Sequence, residues 1–168
     1  MQKYKYGVLI GRFQPMHLGH QAIINEMIAD DVEPIIVLGS AGKNDERNPF
    51  SFLERFEIIQ SVYGNIPILS LEDYATDAEW MFNLRRLLLQ TTENRLAQTV
   101  VYYHRKPQDC IDGLHPLDCL RDHFAVKEAL YPTQLGITIN ATDIRANPHL
   151  HRHYLDGRVY RRLYGEII

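Results

Sequence analysis

The segment Gly11-Arg12-Phe13-Gln14-Pro15-Met16-His17-Leu18-Gly19-His20 gathers side chains able to handle an anion. His17 and His20 stand three apart, which places both imidazoles on one face if a helix opens there. Both rings would then lie beside free backbone N–H groups and the positive end of the helix dipole, a place that suits a phosphate or polyphosphate. Gly11 lets backbone approach a ligand closely, and Pro15 fixes the turn. Two histidines at a helix start can equally be caps or surface residues. A zinc pair is a further alternative, but no Asp, Glu or Cys sits nearby in the sequence to complete it. The glycine spacing matches neither a Walker loop nor a dinucleotide fingerprint.

The flanking pattern says how such a segment is held. Residues 6–10 form a short apolar run closed by Gly11, and 18–29 repeat apolar residues at helical spacing. Pro34 opens a second apolar run over 35–38, closed by Gly39. Strand, helix and strand within about forty residues make a βαβ unit and predict a parallel sheet. The alternation continues with a helix over 52–63 ended by Gly64, and a strand over 66–71. A long helix over 78–95 follows, with Asp77 as its N-cap, and then a strand over 99–103. Residues 105–121 read as loop with a short helix. Residues 124–130 and 135–139 carry weaker strand patterns, and 150–168 reads as an Arg-rich helix interrupted at Gly157. The expected architecture is one doubly wound α/β domain across 1–168, with a helical segment at about 150–168. Ligands of such sheets bind beyond the carboxyl ends of the strands, where Gly11 to His20 falls.

Composition narrows the partners. The chain has 168 residues, with 18 Lys and Arg against 21 Asp and Glu, a net charge of −3. That balance argues against a general nucleic-acid binder but leaves room for a local anion site. Cys110 and Cys119 match no metal spacing and read as reduced thiols. No apolar run approaches the ~20 residues of a membrane span, and no signal peptide is read at the start, so a cytoplasmic protein is expected. There are eight His residues, an unusual number for this length. His149, His151 and His153 alternate in a way that suits no helical face, and they read as exposed or interfacial.

The string GRFQPMHLGH resembles the HxGH signature of the nucleotidylyltransferase superfamily. In full it resembles nicotinamide-mononucleotide (NMN) adenylyltransferases of the archaeal type, also found as the first domain of bacterial enzymes carrying a Nudix hydrolase domain. Gly39-Ser40-Ala41, then Arg47-Asn48-Pro49-Phe50 and Glu54-Arg55, resemble a further block of that family. Trp80 lies where the family commonly places a Trp that stacks on nicotinamide. Ile139-Asn140-Ala141-Thr142-Asp143-Ile144-Arg145 resembles its phosphate-binding segment, with Asn140 where Ser is usual. The loop at His104-Arg105-Lys106 matches the family only loosely.

The resemblance implies a Rossmann-like nucleotidylyltransferase fold and transfer of AMP from ATP to NMN, giving NAD and pyrophosphate. It implies catalytic roles for Arg12, His17, His20, Arg47 and Arg145. It implies ATP contacts from Gly11, Arg12, Phe13, His17, Gly19, His20, Asn140, Thr142 and Arg145. It implies NMN contacts from Ser40, Asn48, Pro49, Phe50 and Trp80. Mg²⁺ would arrive with ATP, held mainly by the nucleotide phosphates and water rather than by protein ligands. The family commonly forms homo-oligomers. Two alternatives stay open: a related transferase with another phosphate acceptor, and a nucleotide-binding regulator that has lost catalysis.

Overall fold

A computed structural model describes residues 3–106, 110–111 and 117–165. Parts of the expected 105–121 loop, and the last residues of the expected terminal helix, lie outside them. Five strands, β1 (Tyr6–Gly11), β2 (Glu33–Leu38), β3 (Ile68–Ser70), β4 (Thr99–Tyr103) and β5 (Ala125–Glu128), form one sheet. Its order is β3-β2-β1-β4-β5, and every neighbouring pair is parallel. The chain builds outward from β1 in one direction and then returns to add β4 and β5 on the other side. The order therefore reverses between β1 and β4, the switch point at which such sheets leave a crevice.

Among the described residues, six α-helices connect and cover the strands: α1 (Leu18–Ala29), α2 (Phe52–Tyr63), α3 (Asp77–Thr91), α4 (Tyr131–Gln134), α5 (Ala141–Ala146) and α6 (Gly157–Tyr164). Alternate residues of β1 point to opposite faces, as the pleat requires. Leu9 joins a core with Ile24 and Met27 of α1, Ile58 and Ile59 of α2 and Val159 of α6. Val8 and Ile10 join the opposite core with Met81, Leu84 and Leu88 of α3. Both sheet faces are thus buried, which explains the unbroken apolar runs of β1, β2 and β4.

Several boundaries differ from the sequence expectation, each for a local reason. Thr76, not Asp77, caps α3: its hydroxyl accepts the Glu79 N–H at 3.2 Å, and the Glu79 carboxylate accepts the Thr76 N–H at 3.2 Å. Asp77 sits in the first turn, favourably placed for the helix dipole. The helix stops at Thr91 because Glu93 and Asn94 take left-handed conformations (φ 52° and 65°). The β3 ladder covers only Ile68–Ser70, since Pro67 has no N–H to donate.

The expected strand over 135–139 is absent, and α4 stands just before it. Pro132 fits the first turn of α4, and Gly136 (φ 67°) reverses the chain after it. What holds α4 is distant. Glu26 of α1 accepts the N–H groups of Leu130 and Tyr131 at 2.8 and 2.9 Å. The terminal segment is α-helical only over Gly157–Tyr164, because Asp156 accepts the Arg158 N–H at 2.8 Å and starts a helix where Gly157 was read as an interruption. No helix among the described residues is long and apolar enough to cross a membrane.

Candidate active site

The turn from β1 into α1 ends in a capping box made of two histidines. His17 is the N-cap, and its Nδ1 accepts the Gly19 N–H at 3.0 Å. His20, three residues on, returns the bond: its Nδ1 accepts the His17 N–H at 3.2 Å. A ring nitrogen that accepts an N–H carries no proton, so each neutral imidazole must hold its proton on Nε2. The helix start thus fixes two rings in one tautomer, each with an Nε2–H donor. Capping and anion binding, which the sequence left as alternatives, are compatible.

Packing holds the rings further. His20 stacks on Phe13 with ring centroids 4.2 Å apart and 19° between planes, and meets the His17 ring at a 38° tilt with centroids 4.0 Å apart. Phe13 is buried and takes a left-handed backbone (φ 52°), an unusual conformation for a bulky residue. Gly19 is required by close approach: a Cβ there would lie 2.8 Å from Cε1 of His17. Burial lowers the His17 pKa to about 3, with Lys106 repelling the charged form as a second cause. His20 is pushed well below its ordinary value by burial, then by His17 and Lys106. Both rings are neutral donors at pH 7.

His17, Gly19 and His20 line a cavity of about 160 Å³ at the switch point, together with Tyr103 at the end of β4, His104 after it, and Lys106, Pro132 and Ile137. A wider hollow of about 670 Å³ is lined by Arg47, Pro49, Phe50, Thr142, Arg145 and Tyr164, with Glu46 at its edge. Gln14 joins the two walls. Its buried amide donates to the Phe50 carbonyl at 2.8 Å and accepts the Phe50 N–H at 2.9 Å, while its own carbonyl accepts Nη1 of Arg145 at 2.7 Å. Burial lowers the Arg145 pKa, and repulsion from Arg12 and Arg47 lowers it further. Arg145 therefore lies within electrostatic reach of both Arg12 and Arg47, a grouping of cations that suits a polyanion.

The remaining residues singled out in the sequence are placed as follows. Arg12 is exposed beside the histidine turn, and Gly11 ends β1. Ser40 follows β2, and its hydroxyl donates to Asp73 at 3.0 Å. Asn48 is buried; its amide nitrogen donates to Asp45 at 2.9 Å, while its Oδ1 has no hydrogen-bond partner among the described residues. Asn140 caps α5 through the Asp143 N–H at 2.9 Å, and the Thr142 hydroxyl accepts from Arg145 at 3.3 Å. Trp80 lies in the first turn of α3, half-buried against the core of the opposite sheet face, and lines neither hollow.

Gln14 and Arg55 are the residues that sequence reasoning left without a role. Arg55 is 1% exposed and donates to the carbonyls of Arg12 (2.8 Å), Gly39 (2.9 Å), Ser51 (3.2 Å) and Ser40 (3.5 Å). It ties the turns after β1 and β2 to the start of α2. Among the described residues, no three His, Cys, Asp or Glu side chains converge to hold a metal ion.

A doubly wound parallel sheet with a histidine capping box at its carboxyl edge, and Arg145 within electrostatic reach of Arg12 and Arg47, defines an α/β protein of Rossmann-like class. The chain belongs to the cytidylyltransferase-like family, whose model matches residues 8–147. It is similar to the nicotinamide-nucleotide adenylyltransferase of Methanolobus tindarius, with 39% identity over 80 residues, covering 45% of this chain and 46% of the relative. The chain thus spans about half the length of the curated relatives it matches first. A nicotinamide/nicotinic acid mononucleotide adenylyltransferase of Acinetobacter baylyi is 25% identical over 175 residues, 97% of this chain and 93% of the relative. In fold, the chain is similar to a bifunctional NMN adenylyltransferase/ADP ribose pyrophosphatase from Francisella tularensis, with a TM-score of 0.71 and 24% identity. That match covers 92% of this chain and 44% of the neighbour.

Proposed function

We propose that this chain transfers AMP from ATP to NMN, giving NAD and pyrophosphate. The observation that carries the reading is the histidine capping box. It presents two neutral Nε2–H donors, His17 and His20, from a helix start whose flank holds Arg12, Arg47 and Arg145. The names of the Methanolobus and Acinetobacter relatives support the choice of acceptor.

In this reading an oxygen of the NMN phosphate attacks the α-phosphorus of ATP in line. The new P–O bond forms as the bond from the α-phosphorus to the α,β-bridging oxygen breaks, and pyrophosphate carries away the electron pair. No covalent bond to the protein is needed, so catalysis consists of positioning and charge stabilisation. His20 and His17 donate Nε2–H bonds to phosphate oxygens as charge grows in the transition state. The arginines neutralise the triphosphate, with Thr142 and Asn140 beside it on α5. Mg²⁺ would arrive with ATP, with no protein ligands assigned to it, and would supply further neutralisation of the leaving group. Ser40, Asn48, Pro49, Phe50 and Trp80 are assigned to the NMN side, where a Trp face would gain a cation–π contribution of about 0.5–2 kcal/mol from the pyridinium.

The test is an assay with ATP, Mg²⁺ and, separately, NMN, nicotinate mononucleotide and phosphopantetheine, following pyrophosphate and the dinucleotide product. NAD formation with NMN is expected. Turnover of another acceptor alone would replace this reading with the related transferase. Binding of ATP without any product would favour a regulator.

A further inference from the structure

We propose that Arg55 supplies a fixed, buried positive charge to the anion site without touching the ligand. This rests on the reading of that site as one for polyphosphate. A buried guanidinium ordinarily pairs with a carboxylate, because an isolated charge is costly to desolvate. Arg55 does not: among the described residues, the ion pairs within 4.0 Å all involve other side chains. Its four hydrogen bonds all end on backbone carbonyls. Carbonyl dipoles solvate a cation but do not cancel its charge, so a net positive charge remains in a poorly screened place.

The place matters. The carbonyls of Arg12, Gly39 and Ser40 belong to the turns directly after β1 and β2, at the carboxyl edge of the sheet. Arg12 is one of the two arginines that repel Arg145 at the same edge. Arg55 adds a further cation at that edge, tied to the backbone of Arg12 at 2.8 Å. Arg12 and Arg47 repel Arg145 there, a repulsion that a bound polyanion relieves, and a charge held in a rigid frame needs no reorganisation when the anion arrives. A purely structural clamp would need the guanidinium fork; the electrostatic role needs only the charge.

Calorimetry with inorganic pyrophosphate and with adenosine, on the wild-type chain and on Arg55→Gln and Arg55→Lys, separates the two. Arg55→Gln is expected to weaken pyrophosphate binding about fivefold or more while adenosine affinity stays within about twofold. Arg55→Lys keeps the charge and loses the fork. It should hold pyrophosphate within about twofold of wild type despite a lower melting temperature. Equal pyrophosphate affinity in wild type and Arg55→Gln overturns the proposal, as does a loss in Arg55→Lys as large as in Arg55→Gln. Wild-type protein that binds no pyrophosphate overturns the anion site itself, and this role with it. If the variants do not fold, the Arg55 Nε–H signal of the wild type is followed by NMR. It should shift with pyrophosphate and not with adenosine, and an unmoved signal refutes the role.

Discussion

Nη1 of Arg145 donates to the main-chain carbonyl of Gln14 at 2.7 Å, joining two segments 131 residues apart. The bond seats an arginine from the last turn of α5 against the turn that leads into the histidine capping box. The same guanidinium reaches the Thr142 hydroxyl, so its plane is held by two partners while its remaining donors face the wider hollow.

Arg145→Ala should therefore reduce kcat/KM for ATP by about 10- to 100-fold, the range expected for losing a charged hydrogen-bonding group. Arg145→Lys should recover only part of this, because an ammonium cannot hold two planar contacts. Steady-state kinetics with ATP varied at fixed NMN gives the answer; wild-type kinetics in Arg145→Ala would remove this residue from the site.

His20→Ala should lower kcat by about 10²- to 10³-fold while NMN affinity changes little, since an Nε2–H donor to developing charge acts mainly in the transition state. Turnover and an equilibrium titration of NMN, compared side by side, check the split. A variant with unaltered kcat would show that the ring only caps the helix.

Gly19→Ala would place a methyl group 2.8 Å from the His17 ring, too close to be tolerated without moving it. The expected loss is about 1–3 kcal/mol of stability, with turnover falling alongside. Urea unfolding measures the first and the assay the second. Full activity in this variant would mean that the His17 ring has freedom to shift.

Stability should fall in mild acid. The unfolded chain protonates His17 near its ordinary value of about 6.5, but burial holds the folded group at about 3. Between those values the unfolded state binds more protons, so the native state loses stability as pH falls and keeps it above about 6.5. For this one group the loss at pH 5 is up to about 2 kcal/mol. Unfolding at pH 7.5 and pH 5 should show a smaller drop in His17→Gln than in wild type. An equal drop in both would place the titration elsewhere.

Much of the site was legible because its signals are local. The spacing of His17 and His20, the glycine that ends β1 and the apolar rhythm of α1 and α2 lie within short windows, where neighbours in sequence are neighbours in space. The bounds of α1 (Leu18–Ala29), α2 (Phe52–Tyr63) and β4 (Thr99–Tyr103) agree with the pattern for that reason. The end of α3 did not, because the left-handed turn at Glu93 and Asn94 has no glycine to announce it.

By itself, then, the sequence determined the alternation of strands and helices, the parallel sheet and the histidine pair at its first turn, since periodicity and helical spacing are properties of adjacent residues. Tertiary structure alone decided which distant groups complete the site. Arg55 and Gln14 bond to main-chain carbonyls and amides, which carry no side-chain identity for a pattern to read. Glu26 holds α4 from 104 residues away, and Trp80 faces a core that exists only once α3 has docked on the sheet. The neutrality of the two histidines is of the same kind: it comes from burial, which no window of sequence contains.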